Sequence, residues 1–146
     1  MGSVSLPASG VVYIDANCLI YSMEAHPTFG PPLDDFWHNV ELGAITLVSS
    51  QLLIMEVLVA PYRARDMELT QAYEDALAQP GLTLYAVSES ILRSAARLRA
   101  EIPRLRTPDA IHVATARERS CTAFLTNDLG FRNIPGLPLV LLREAV

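Results

Sequence analysis

The sequence predicts an α/β domain, a mostly parallel sheet covered by helices. Short apolar and β-branched runs alternate with longer helical patterns along the whole chain, and Gly or Pro marks most of the junctions. At 146 residues the chain fits one domain and can bury a core without disulfide staples. Hydrophobic residues make up 51% and charged residues 18%, which excludes a disordered chain. That apolar share is high for a soluble monomer, so part of it is expected at a subunit or partner interface.

A strand over residues 11–14 (VVYI) runs into Asp15, and a helix follows from about Asn17 to Ala25. HPTFGPP reads as a turn or loop, after which Pro32 opens a helix over 32–42 that Gly43 stops. The strand AITLVS (44–49) leads into an apolar helix starting near Gln51, with Pro61 expected at or close to its end. A helix over 65–78 stops at Gln79-Pro80-Gly81, and LTLYAV forms the third strand. Ser88 is expected to cap a helix running to Ile102, and Pro103 ends it. Thr107 is expected to cap the next helix, with Pro108 at its first position. TAFLT (122–126) is a strand running into Asn127 and Asp128, and PLVLL (138–142) is a last short strand.

The organisation expected is a short mobile arm over residues 1–10 and a single domain over 11–146. The N-terminal stretch has no basic residue and no long apolar run, so it does not read as a signal peptide. No apolar stretch approaches the ~20 residues that span a bilayer. Cys18 and Cys121 read as buried thiols in a reducing compartment, and the cytoplasm is the expected location. A net charge of −5 argues against a protein that coats nucleic acid by bulk positive charge. Yet all eleven basic residues are Arg, and Arg93, Arg97, Arg99, Arg104 and Arg106 fall within fourteen positions. The planar guanidinium suits phosphate; a solvated helix face in an Arg-rich coding background accounts for the run equally well.

Four acids stand in unusual places. Asp15 ends the first strand and Asp128 follows the fourth, at the carboxyl edge where open α/β sheets put their ligand sites; each also suits a helix or turn cap. Glu56 interrupts the run LLIMEVLVA, a pattern apolar all round that predicts a buried helix, where an ionised carboxylate needs a partner. A distant Arg would serve; a metal ion shared with other acids serves better. Asp109 lies in the first turn of a helix, where the dipole alone favours negative charge. Four such carboxylates gathered together repel one another unless a cation joins them, and an all-oxygen set selects Mg²⁺ or Mn²⁺ over Zn²⁺. Ions of this kind commonly serve hydrolysis at phosphate.

YIDANCLIY, the acid of LLIMEVL, TPDAIHVATA and FLTNDLGF, in this order and spacing, resemble the PIN domain, and by length the VapC-type toxins of toxin–antitoxin pairs. The resemblance implies an α/β/α sandwich and a Mg²⁺- or Mn²⁺-dependent endoribonuclease leaving 5′-phosphate and 3′-hydroxyl ends. It also implies an antitoxin partner and a homodimer. Carried over by residue, it implies that Asp15, Glu56, Asp109 and Asp128 are the catalytic, metal-holding quartet, supported by Asn17 and Thr126. The first ion is expected on Asp15, Glu56 and Asp109, and a weaker second on Asp15 and Asp128. Many relatives carry a further acid where this chain has Gly130, which leaves the second position less furnished.

The Arg run over 93–106 is expected to grip single-stranded or looped RNA. Helices 32–42 and 51–60 look apolar enough to receive an antitoxin helix. His112 and Tyr21 are expected to pack rather than act, and His26 and His38 have no second ligand at metal-binding spacing. The rival reading is a PIN-like module that binds RNA or protein without cleaving.

Overall fold

The computed structural model describes residues 5–145. Five strands form one parallel sheet: β1 (Gly10–Ile14), β2 (Ile45–Ser50), β3 (Leu82–Tyr85), β4 (Ala123–Thr126) and β5 (Leu139–Leu141), in the order β3-β2-β1-β4-β5. The first half of the chain builds outward from β1 to β3, and the second half returns to the other side of β1. The direction of winding therefore reverses between β1 and β4, and the crevice at their carboxyl ends is the natural ligand site of such a sheet.

Period-two alternation sorts the core into two layers. Val12, Ile14, Leu47 and Leu125 face one side, against α1 (Ala16–Met23), α2 (Asp34–Glu41), α3 (Leu52–Ala64) and α4 (Met67–Leu77). Tyr13, Val48 and Phe124 face the other, against α5 (Glu89–Glu101) and α6 (Thr107–Glu118). The molecule is thus an α/β/α sandwich. Tyr13 and Phe124 stack with ring centroids 5.0 Å apart, which packs β1 tightly against β4 beneath the crevice.

The expected elements are present, with four local differences. Pro31 and Pro32 form a 3-10 turn, Pro31–Leu33, that leads into α2. Pro61 lies inside the last turn of α3, close to its end as expected but not at it: the helix runs on to Ala64 and closes where Arg65 turns left-handed, with the Arg65 and Asp66 N–H groups donating back to Tyr62 and Pro61. Thr107 does not cap α6; Arg106 occupies the cap position without a side-chain bond, and the Thr107 hydroxyl accepts from Arg99 Nη1 at 2.9 Å.

The fourth difference concerns α3. Leu53, Val57 and Leu58 are buried, but Ile54, Met55, Val59 and Tyr62 are exposed, and Met67 at the start of α4 is 84% exposed. The helix is apolar all round because it has two apolar faces, only one of which this chain covers.

The expected arm over residues 1–10 is described only in part, since residues 1–4 lie outside the described residues. Leu6 packs against the core and Gly10 already belongs to β1. Cys18 is buried and Cys121 partly so, and both are free thiols. Among the described residues no helix is long and apolar enough to cross a membrane.

Candidate active site

β1 delivers Asp15 to the crevice. It is 6% exposed, and it caps α1 by accepting from the Cys18 N–H at 3.2 Å. Its other oxygen accepts from the Thr126 hydroxyl. Burial raises the carboxyl above its ordinary 3.8, with the Thr126 and Cys18 bonds pulling it back. Ser49 supports the strand end from β2, its hydroxyl donating to the Ile14 carbonyl at 2.8 Å.

β4 delivers Thr126 and, two residues on, Asp128. Thr126 Oγ1 accepts from the Asp128 N–H at 3.0 Å while donating to Asp15, so one hydroxyl ties the Asp15 carboxylate to the Asp128 backbone. Asp128 Oδ1 accepts from the Gly130 N–H at 2.8 Å. Asp109 sits in the first turn of α6, close to the positive end of its helix. Arg106, the residue before that helix, donates from Nε to Asp109 Oδ2 at 3.1 Å and brings Nη2 to 3.8 Å from Asp128 Oδ2. Its guanidinium is held above its ordinary range first by the Asp109 hydrogen bond.

Glu56 belongs to the middle of α3, and its side chain is 27% exposed. Its partner is no Arg but His112, whose Nε2 lies 2.7 Å from Glu56 Oε1. His112 follows Asp109 by one helical turn and is buried; its Nδ1 meets the Tyr13 hydroxyl at 2.5 Å. One set of contacts runs from Asp15 through Thr126, Asp128 and Arg106 to Asp109. Glu56 belongs to a second set, with His112 and Tyr13, which α6 carries one turn from Asp109.

Two observations bear on whether these acids suit a divalent cation. Their donor set is carboxylate oxygen, and a positive group, the Arg106 guanidinium, already stands between two of them. Among the described residues no three His, Cys, Asp or Glu side chains are drawn close enough together to form a ready-made metal cluster. The acids are neighbours held through intermediaries.

The other expected site residues divide. Thr126 is buried and bonded to Asp15, whereas Asn17 is exposed on α1 and tied to no acid by the hydrogen bonds of the described residues. In the Arg run, Arg93 pairs with Glu89 on the solvent face and Arg97 is exposed. Arg99 donates to the Leu105 carbonyl, and Arg104 donates to the carbonyls of Gly130 at 2.8 Å and Arg132 at 2.5 Å. These two brace the chain on either side of the site, and only Arg106 touches the acids. Sequence reasoning missed Arg143, which donates from its backbone N–H and Nε to Asn127 Oδ1 and from Nη2 to the Asn127 carbonyl. It lies sixteen residues away across β5, and no pattern signals the pairing. Tyr21 also adjoins this loop, accepting from Asn127 Nδ2 at 3.3 Å.

A family model for the PIN domain matches residues 12–137. The chain belongs to the PIN domain family. Solved structures with the same fold include chains of three complexes. VapBC2 from Rickettsia felis, bound to a DNA fragment from its promoter, is 20% identical, with 90% of this chain and 98% of that chain covered and a TM-score of 0.71. A toxin–antitoxin complex from Klebsiella pneumoniae is 23% identical over 90% and 97%, with a TM-score of 0.67. FitAcB from Neisseria gonorrhoeae is 15% identical over 90% and 98%, with a TM-score of 0.68. No curated protein matches the chain.

Proposed function

We propose that this PIN domain is a cytoplasmic metal-dependent endoribonuclease, the toxin of a toxin–antitoxin pair. The observation that carries the reading is the linkage of Asp15, Asp128 and Asp109 through Thr126 and Arg106 where the sheet reverses its winding, with Glu56 brought alongside by His112 of the same helix as Asp109. Asp15, Glu56 and Asp109 would hold one Mg²⁺ or Mn²⁺, and Asp15 and Asp128 would furnish a weaker second position. A bound divalent cation supplies Lewis-acid activation of water and neutralises charge on the phosphate. Thr126 fixes which Asp15 oxygen faces the crevice. Arg106, set beside Asp109 and Asp128, would donate to the RNA backbone, for which a planar guanidinium is well suited. Arg104 and Arg143 hold the Asp128 loop while substrate binds.

The partners proposed are RNA, an antitoxin and a second copy of the chain. The toxin–antitoxin complex from Klebsiella pneumoniae among the structures of like fold supports the antitoxin. The exposed stripe Met55, Val59, Tyr62, spaced by helical turns and continued by Met67, supports the second copy, because an apolar face pairs with itself about a two-fold axis. A second reading, a module that binds without cleaving, draws on Arg106 itself, since its guanidinium already offsets part of the charge of two of the acids.

Incubation of purified protein with total RNA and Mn²⁺ or Mg²⁺, beside EDTA and the Asp15→Ala and Asp109→Ala variants, separates the two. Cleavage lost in EDTA and in both variants supports the nuclease. Absence of cleavage by folded protein free of antitoxin supports the binding module.

A further inference from the structure

Glu56 is the acid whose placement has the least local cause. Asp15 and Asp128 follow strands and Asp109 opens a helix, but Glu56 lies mid-helix on α3, whose outer face is open to solvent. A flexible side chain at such a place would hold a cation poorly without something to fix it. The buried pair Tyr13 and His112 fixes it.

The direction of the hydrogen bonds follows from what each group can do. A carboxylate only accepts, so His112 Nε2 carries the proton in its 2.7 Å bond to Glu56 Oε1. In the tautomer with its one proton on Nε2, Nδ1 is the acceptor and the Tyr13 hydroxyl donates to it at 2.5 Å. The ring is pinned further by an edge-on contact with Tyr13, centroids 5.7 Å apart. All three groups sit on the frame that carries the other acids: Tyr13 is two residues before Asp15, on the same face of the extended chain, and His112 is one turn after Asp109.

We propose that Tyr13 and His112 are positioning residues that hold Glu56 in register with Asp15 and Asp109 for divalent-cation binding. The proposal rests on the reading of Glu56 as a metal-holding acid. The His112 N–H takes one carboxylate oxygen and leaves Oε2, which no hydrogen bond of the described residues engages, for the cation. Outer partners of metal-holding groups set ligand orientation, and their loss typically costs about 10–100-fold in metal affinity. These bonds also account for a buried His between the apolar residues Ile111 and Val113 of α6: simple packing at position 112 needs no second hydrogen bond to an acid on another helix.

The test is calorimetric titration of the purified full chain with Mn²⁺ alone, for wild type, His112→Phe, His112→Gln, Tyr13→Phe, Glu56→Gln and Asp109→Asn. Circular dichroism and metal-free Tm establish folding for each. The expected result is that Glu56→Gln and Asp109→Asn abolish or strongly weaken binding and His112→Phe weakens it by about 10–100-fold. Tyr13→Phe weakens it less, and His112→Gln, which keeps a donor, recovers part of the loss. Should His112→Phe fail to fold, Tyr13→Phe and His112→Gln carry the comparison.

If Glu56→Gln and Asp109→Asn weaken Mn²⁺ binding while folded His112 and Tyr13 variants bind like wild type, the positioning role is overturned and the metal reading stands. If Glu56→Gln binds Mn²⁺ like wild type while Asp109→Asn does not, Glu56 is no ligand and the proposal falls with that assignment. Should neither variant change binding, the metal reading itself fails.

Discussion

Arg106 donates to Asp109 Oδ2 at 3.1 Å, three residues ahead of it at the start of α6, so the acid nearest the helix N-terminus already has a cation. A divalent ion entering the site competes with that guanidinium. Arg106→Gln is therefore expected to bind Mn²⁺ several-fold more tightly than wild type. The same variant binds RNA more weakly, and the slope of log affinity against log salt falls by about one for the lost phosphate contact. Titration calorimetry and salt-dependent RNA binding in Ca²⁺ check the two halves separately. Equal Mn²⁺ affinity in wild type and variant would contradict the competition.

Asp15 is buried with a raised pKa because burial penalises its charge, and Thr126 and Cys18 only partly compensate. Asp15→Asn keeps an oxygen for the Cys18 N–H, so the cap on α1 survives while the charge is removed. The metal-free Tm is expected to stay level or rise. Cleavage is expected to fall beyond the about 100-fold that loss of an outer partner costs. A drop in Tm with cleavage retained would make Asp15 a cap and nothing more.

The stripe Met55, Val59, Tyr62 on α3 predicts self-association through that helix. Sedimentation of the isolated chain should give a dimer for wild type and a monomer for Val59→Glu, with the Tm of the monomer little changed because the face is exposed within one chain. A monomeric wild type would leave this face to another partner.

Cys121 is half-buried, and burial pushes its thiol from 9.0 to about 11. The neutral thiol is favoured in the fold, so any stability this supplies is present below pH 9 and lost as pH rises toward 11. Alkylation requires the thiolate. Native protein at pH 8 should react about a hundredfold more slowly than a thiol of pKa 9, rising tenfold per pH unit, as mass spectrometry of iodoacetamide-treated protein would show. Rapid labelling at pH 8 would place Cys121 in a more open environment.

The sequence shows the order of strands and helices because their periodicities, two and 3.6, leave visible marks, and it locates Asp15, Asp109 and Asp128 because strand ends and helix starts are local events. Glu56 with His112 is different: the partners are 56 residues apart, and a His in an apolar helix looks like packing. The Arg run is legible as charge and illegible as geometry, since whether Arg104 reaches a loop carbonyl or a phosphate depends on where β4 ends. The outer face of α3 misleads for a similar reason. A stretch apolar all round is the same pattern whether neighbouring helices of one chain cover it or a separate molecule does.

β5 is a three-residue edge strand, and Arg143 just beyond it is what ties down Asn127. Short edge strands are the first parts of a sheet to fray, in local openings that leave the core intact. Each such opening detaches Arg143 and slackens the loop that carries Asp128. Amide exchange at Asp128 and Gly130 should therefore follow the exchange of Leu139–Leu141, at rates well above those of β1. On warming, the site comes apart before the protein melts.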